Sequence, residues 1–378
     1  MATNEPGRLQ TADAWLDQAT HVSRRRKAEH LEAVRTLSDN PLATSWFEFV
    51  SLLPNCAPEV SWQEVSLETE LCGIRLASPV IINAMTGGTE QSYEVNRRLA
   101  SAARRHGLAM AVGSETAALR DPDMRYTYQV VREVYPDGVL IANVGMGTDV
   151  SVAQFAVDLI RAQMLQVHFN AAQELFMAEG DRDFRGALTA LRHIVERVGV
   201  PVIAKEVGQG VTSLEAERLV QTGVRGIDVG GRGGTNFVAV EAWRRGWELA
   251  DAWQAWGIST AAAVCEVVDA VRGRVDVVAS GGIRTGHDVA KAMALGASAV
   301  GIAGALLRLL DHPDGDAALD RYLEELHWTL RALLVLTGCR SWQELRRRPL
   351  VITGLLREWL LARGHAGFLE RTAQGADR

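Results

Sequence analysis

The chain has 378 residues, 47% of them in the hydrophobic set and 23% charged, which suits one large domain with a sizeable core and excludes a largely disordered chain. A formal net charge of −6 argues against a general nucleic-acid binder, because such proteins need a basic surface to neutralise phosphates. Cys56, Cys72, Cys265 and Cys339 form no C-x-x-C pair, so neither a zinc site nor a disulfide framework is indicated. No apolar run is long enough to span a bilayer, and Met1 to Gln10 lacks the apolar segment of a signal peptide, so a cytoplasmic location with no membrane partner is expected.

Residues 1–77 read as an N-terminal extension. It holds a helix-like segment from Arg24 to Leu37 with the basic cluster Arg24-Arg25-Arg26-Lys27, then Leu52-Leu53-Pro54, then one strand from Glu70 to Leu76. From residue 78 to 336 short β-branched runs recur, each followed by a glycine, polar or charged tip and a helical stretch. The runs are Val80–Ile82, Met110–Val112, Val139–Ile141, Leu165–Val167, Val202–Ala204, Gly226–Val229, Val277–Ala279 and Ala299–Ile302. Eight such units predict an α/β fold of the TIM (β/α)8-barrel kind, since a doubly wound sheet would more often hold about five to seven strands. Apolar residues at helical spacing predict helices over Tyr93–His106, Val152–Gln163 and Gly286–Leu295. The connection from Asn236 to Asp269 carries Trp243, Trp247, Trp253 and Trp256, and reads as a helix packed on the barrel or a subunit contact. Residues 337–378 read as a C-terminal helical appendage whose arginines, Arg346-Arg347-Arg348, solvate a surface.

Barrel active sites lie at the C-terminal ends of the strands, so the tips carry the functional information. The first tip is Asn83-Ala84-Met85-Thr86-Gly87-Gly88, and the sixth, Gly230 to Thr235, leaves backbone N–H groups that suit an anion or a planar ring. The seventh and eighth, Ser280 to Gly286 and Gly301 to Gly304, each open a helix, at the two positions where barrels commonly bind a phosphate. Lys205, at the fifth tip, is placed to set a cation beside a bound ring; a structural ion pair with Glu206 or another barrel carboxylate is the alternative. After the fourth strand, alternation turns His168 and Asn170 to the same side, with Gln173 and Glu174 on the following turn. Glu174 offers the hard oxygen ligands that Mg²⁺ takes, typically shared with substrate phosphates and water.

These residues resemble the type 2 isopentenyl-diphosphate isomerases, FMN enzymes built on a TIM barrel. The likeness runs through Arg26-Lys27 with Glu29-His30, Ala84 to Gly88, His168 to Arg182, Lys205 to Gly208, Gly231 to Asn236, Trp256-Gly257-Ile258, Ser280 to Arg284, Gly301 to Gly304, and Pro349 to Gly354. The resemblance implies that Met85, Thr86, Ser114, Asn143, Lys205, Thr235, Gly282, Arg284, Ala303 and Gly304 contact FMN. It implies that Arg26, Lys27 and His30 grip a substrate diphosphate, that His168, Asn170 and Gln173 line the reacting pocket, and that Glu174 holds Mg²⁺. It further implies interconversion of isopentenyl and dimethylallyl diphosphate, with reduced FMN as the acid/base, NADPH as the flavin's reductant, and a homo-oligomeric assembly, tetramer or octamer.

One position departs from the family. After the second strand the chain reads Gly113-Ser114-Glu115-Thr116, where the family usually has glutamine after the serine. Either Glu115 turns away, is protonated or is paired, or this member handles a different substrate, another prenyl phosphate included, or works more slowly. Two rivals share parts of the pattern: an FMN oxidoreductase of the hydroxy-acid oxidase type, and a catalytically silent barrel that binds flavin or a prenyl phosphate.

Overall fold

The computed structural model describes residues 12–37 and 44–375; Met1 to Gln10, the segment read for a signal peptide, lies outside the described residues. In chain order the strands are β1 (Val50–Leu52), β2 (Thr69–Leu71), β3 (Ile74–Leu76), β4 (Val80–Ile82), β5 (Ala109–Ala111), β6 (Leu140–Gly145), β7 (Met164–Phe169), β8 (Val202–Glu206), β9 (Gly226–Asp228), β10 (Asp276–Ser280), β11 (Ala299–Ile302) and β12 (Leu350–Ile352). Strands β4 to β11 close into a barrel of parallel neighbours, and each overlaps one of the eight apolar runs. Helices cover the outer face, which is why the strands are apolar on both sides rather than alternating from end to end.

The interior is layered. Ile81, Ala109, Ile141, Met164, Ile203, Val278 and Ala299 point inward and pack with Leu71, Cys72 and Leu76 into a separate apolar floor. Because side chains alternate along a strand, the next inward positions up are two residues later, and apart from Ala111 and Gly301 they are Asn83, Asn143, Gln166, Lys205, Asp228 and Ser280. Directly above an oily floor, the barrel therefore turns polar.

The floor exists because Glu70–Leu76 is not one strand. It is a hairpin, β2 against β3, reversed at Cys72 (φ 54°) and Gly73 (φ 82°). Two consecutive residues in the left-handed region make the tight turn whose twist suits a two-residue hairpin. The Cys72 N–H donates to Asp276 Oδ2 at 2.6 Å, which pins the turn to the barrel.

Local chemistry also moved the helix ends. The helix expected from Tyr93 begins at Glu90, because the Thr89 hydroxyl caps the Ser92 N–H. The one expected to reach Gln163 stops at Ile160, where Arg161 turns left-handed (φ 49°). The helix at Gly286–Ala294 starts on a capping box of Thr285 and Asp288.

The segments that flank the barrel meet. β1 pairs antiparallel with β12, so the appendage carries a strand as well as helices. Its arginines do more than face solvent: Arg346 donates to the Ala297 carbonyl, and Arg348 to that of Thr337. The tryptophan-bearing connection forms helices at Phe237–Arg244, Asp251–Gln254 and Thr260–Val271. Trp243 is half-buried, whereas Trp247, Trp253 and Trp256 are 50%, 42% and 56% exposed. Among the described residues no helix is long and apolar enough to cross a membrane.

Trp342 is fully buried and its indole N–H reaches the Leu67 carbonyl at 3.0 Å, joining the appendage to the segment before β2. Trp342→Ala is expected to cost about 3–5 kcal/mol, read from the denaturant midpoint, because it leaves both a cavity and an unmet carbonyl. A loss under about 1 kcal/mol would show that the appendage is only loosely docked.

Candidate active site

The open end of the barrel is a cavity of about 470 Å³. All seventeen residues singled out from the sequence line it: Arg26, Lys27, His30, Met85, Thr86, Ser114, Asn143, His168, Asn170, Gln173, Glu174, Lys205, Thr235, Gly282, Arg284, Ala303 and Gly304. Thirteen residues come from barrel tips or the turn after β7 and one, Ser114, from the loop after β5; Arg26, Lys27 and His30 come from the first helix, Ala12–Thr36, laid across the mouth.

The polar layer is a continuous hydrogen-bonded chain. His168 Nδ1 meets Asn143 Oδ1 at 2.8 Å, Asn143 donates to Gln166 (3.2 Å), Gln166 to Asn83 (3.0 Å), and Asn83 to Asp228 (2.8 Å). Asp228 then accepts an ion pair from Lys205 Nζ at 2.9 Å and a hydrogen bond from the Ser280 hydroxyl. Register explains the pair, since β8 and β9 set Lys205 directly beside Asp228, and β7 sets His168 on the other side of Lys205. Lys205 thus has its structural ion pair, with Asp228 rather than Glu206, and still lines the cavity. Glu206 turns instead to the loop after β8, where one oxygen accepts the N–H groups of Gly208, Gln209 and Gly210.

Burial, with Lys205 and Lys27 nearby, pushes the His168 imidazole down to about 4. It is therefore neutral at neutral pH. With Asn143 Oδ1 as acceptor, the proton sits on Nδ1, and Nε2 keeps a lone pair beside Gly145.

A second network fixes the mouth. Asn170 donates to Gln173 Oε1 (3.2 Å) and Glu174 Oε1 (2.9 Å), and Gln173 donates to Glu241 Oε1 (3.0 Å). His30 Nε2 meets the same Glu241 oxygen at 2.7 Å. Arg244 bridges Glu241 (2.5 Å), Glu29 of the first helix (2.9 Å) and Glu179 (2.8 Å). Burial alone would raise the Glu241 carboxyl, but His30, Gln173 and Arg244 outweigh it and hold it down at about 2.

The sixth tip is only partly free. The N–H groups of Gly230, Gly231 and Arg232 are spent on Asp228, Ser280 and Ile258. Among the described residues, those of Gly234, Thr235, Gly282, Ile283, Ala303 and Gly304 have no protein acceptor. At Gly282 (φ 72°) a Cβ would fall 2.3 Å from the Gly233 carbonyl, so only glycine lets the sixth and seventh tips close together. The result is a concave set of donors beside the Arg284 guanidinium, which is held by the Gly282 and Gly233 carbonyls at 2.9 and 3.0 Å. Such a cradle fits the phosphate of a flavin mononucleotide, and the space from it to Lys205 and Met85, lined by polar and apolar groups alike, fits the ring.

No group of three or more His, Cys, Asp or Glu side chains able to hold a metal occurs among the described residues. Glu174 lines the cavity with Glu179 and Asp181, so a cation there would need further oxygens from a ligand or water.

Sequence reading missed Gln166, Asp228, Glu241 and Arg244. A signal was present: a polar residue inside an apolar run (Leu165-Gln166-Val167, Ile227-Asp228-Val229) and a lone acid in the apolar helix Phe237–Arg244. Such residues are buried with partners or not at all.

Fold and cavity define a barrel of the flavin-dependent kind, and residues 140–352 match the family model described as FMN-dependent dehydrogenase. The chain belongs to the isopentenyl-diphosphate delta-isomerase family. It is 47% identical over 319 residues to such a protein from Symbiobacterium thermophilum, covering 84% of this chain and 88% of that one. It is 44% identical to one from Moorella thermoacetica (92% and 99% covered) and 39% identical to one from Methanopyrus kandleri (90% and 95%). Among solved structures, a protein described as a lactate oxidase from Pediococcus acidilactici superposes with a TM-score of 0.64 at 17% identity, covering 90% of this chain and 94% of that one. A mandelate oxidase with benzaldehyde gives 0.60 at 20%, covering 90% and 99%. At that identity the likeness is one of fold.

Asp228→Ala would leave Lys205 as a buried cation without its counterion. The expected cost is about 3–5 kcal/mol, measured by thermal or denaturant unfolding. A loss under about 1 kcal/mol would show that the pair is not what neutralises the barrel interior.

Proposed function

We propose that the protein interconverts isopentenyl and dimethylallyl diphosphate, binding FMN across the barrel mouth. The observation that carries this reading is the meeting, in one cavity, of the donor cradle at the sixth to eighth tips with Arg26, Lys27 and His30 of the first helix. Reduced FMN, when bound, supplies the acid/base chemistry for moving the allylic proton, and NADPH serves as its reductant. Met85, Thr86, Ser114, Asn143, Lys205, Thr235, Gly282, Arg284, Ala303 and Gly304 are the residues that would hold it.

The chain's own contribution is charge, orientation and exclusion of water. Arg26, Lys27 and His30 hold the diphosphate at the mouth. Burial and the neighbouring Arg26 lower the Lys27 ammonium to about 7, with Glu115 acting the other way, and an arriving diphosphate favours its charged form. Glu174, whose oxygens take Asn170 Nδ2 (2.9 Å) and the Asp181 N–H (3.0 Å), is the carboxylate that would share Mg²⁺ with the diphosphate. Neutral His168, with Asn170 and Gln173, shapes the pocket for the hydrocarbon part. His168 is too weak a base to arrive charged, and Gln173 does not titrate, so neither of them is the proton carrier. Lys205, paired with Asp228 and lining the cavity, would set its cation beside a bound flavin ring and favour the negative charge of its reduced form.

The substrate is a prenyl diphosphate, the location cytoplasmic and the assembly homo-oligomeric, tetramer or octamer, with exposed Trp247, Trp253 and Trp256 the surface such contacts would cover. A hydroxy-acid oxidase reading rests on fold likeness and on the FMN-dependent dehydrogenase match over residues 140–352.

The test is anaerobic: protein, FMN, NADPH and Mg²⁺ given isopentenyl diphosphate in D₂O, with proton NMR of the product. Deuterated dimethylallyl diphosphate is expected only when the flavin is reduced. Tight FMN binding with no isomerisation contradicts the proposal and turns attention to hydroxy acids and a silent barrel.

A further inference from the structure

Glu115 follows Ser114 at the tip of β5, yet it is not among the residues facing the cavity. It is fully buried behind the cavity wall. Its backbone N–H donates to the Asn143 carbonyl at 2.9 Å, and its Oε2 accepts the Asn143 N–H at 3.0 Å, so one residue ties the tip of β5 to that of β6 twice. Asn143 in turn holds His168. The other oxygen, Oε1, is buried with no hydrogen-bond partner.

An ionised carboxylate in such a place needs a counterion or several donors, and one N–H is too few. The cation that faces it, Lys27, does not pair with it. Lys27 Nζ donates instead to the Ser114 carbonyl (2.9 Å) and the Tyr128 hydroxyl (2.5 Å), and Tyr128 itself donates to Ser114 at 2.7 Å. The ionisable groups around Glu115 are Lys27, with Arg26 beside it, and Tyr128; the third side is the Asn143 backbone.

We propose that Glu115 is a positioning residue carried as a neutral carboxylic acid: it braces the tips of β5 and β6 beneath His168 and, uncharged, leaves the Lys27 cation to the diphosphate. The second half rests on the proposed role of Lys27 in gripping substrate. Burial, only partly offset by the Asn143 N–H and Lys27, raises the Glu115 carboxyl well above its ordinary 4.5, which agrees with this geometry. A neutral acid matches a carboxamide in shape and charge, so glutamine should replace it silently in the native contacts while Glu115 is protonated there, and the two stabilities should diverge once the unfolded chain's glutamate ionises.

The sign follows from linkage. A carboxyl whose folded value is raised contributes stability that is full below its unfolded value and is lost as pH rises toward the folded one. Glu115→Gln, which does not titrate, should therefore melt with wild type near about pH 4 and increasingly above it as pH climbs to about 8.

The deciding experiment is infrared spectroscopy of holoenzyme at neutral pH, wild type minus Glu115→Gln, with melting curves across pH and KM for isopentenyl diphosphate on the same samples. Expected are a carbonyl band of a protonated carboxylic acid lost in the variant, a melting advantage that grows with pH, and a KM at neutral pH within about threefold of wild type, under about 0.7 kcal/mol. Absence of the band, or a KM shift of tenfold or more, overturns the proposal. If Glu115→Gln folds poorly, the band in wild type must fade on alkaline titration, and persistence of an ionised-carboxylate signal at neutral pH instead overturns it. Lys27→Met is the separate check on the grip: a KM raised tenfold or more keeps it, and an unchanged KM removes that reading while the band still decides Glu115.

Discussion

A fully buried carboxylate, Glu241, is the constraint on which the working end of this protein depends. Its charge stands only because three partners reach it, and they come from three places: His30 from the helix over the mouth, Gln173 from the turn after β7, and Arg244 from its own helix. Taking any one away leaves a desolvated charge underpaired. The lid helix, the pocket turn and the sixth βα unit are therefore locked as one arrangement, with Arg244 extending the lock to Glu29 and Glu179.

Below that lock the barrel solves a different problem. A parallel barrel must fill its interior, and here the fill changes character with height: an apolar floor sealed by the β2–β3 hairpin, then amides and the Lys205–Asp228 pair, then open space. The amide chain carries no net charge, so it conveys orientation from Asp228 to His168 without setting a field of its own. Rigid polar groups over a dry floor are what a site needs when the hard chemistry is the cofactor's.

Much of this was legible in the sequence. Each apolar run became a barrel strand, because Val and Ile runs with polar tips have few other uses, and the glycine clusters at the seventh and eighth tips pointed to the end of the barrel where the cavity opens. Period-two alternation turned His168 and Asn170 to the same side, and both line the cavity. What stayed hidden were pairings across distance. Nothing local to Asp228 names Lys205 as its partner, and nothing near Arg24 to His30 says that the helix crosses the barrel mouth. The Glu70–Leu76 hairpin was missed because its turn uses Cys72, a residue rarely read as a reversal signal. The pairing of β1 with β12 joins segments some 300 residues apart, beyond the reach of local pattern. At Glu115 the sequence showed a departure, and only the fold shows the side chain turned away from the cavity.

The Glu241–Arg244 lock holds the lid helix on the mouth. Hydrogen exchange by mass spectrometry, comparing wild type with Arg244→Ala, tests it most directly. Amides of residues 24–36 are expected to exchange about tenfold faster or more in the variant, while β4 to β11 keep their protection. Unchanged exchange in that helix would contradict the account, and would mean that something other than this buried carboxylate closes the site.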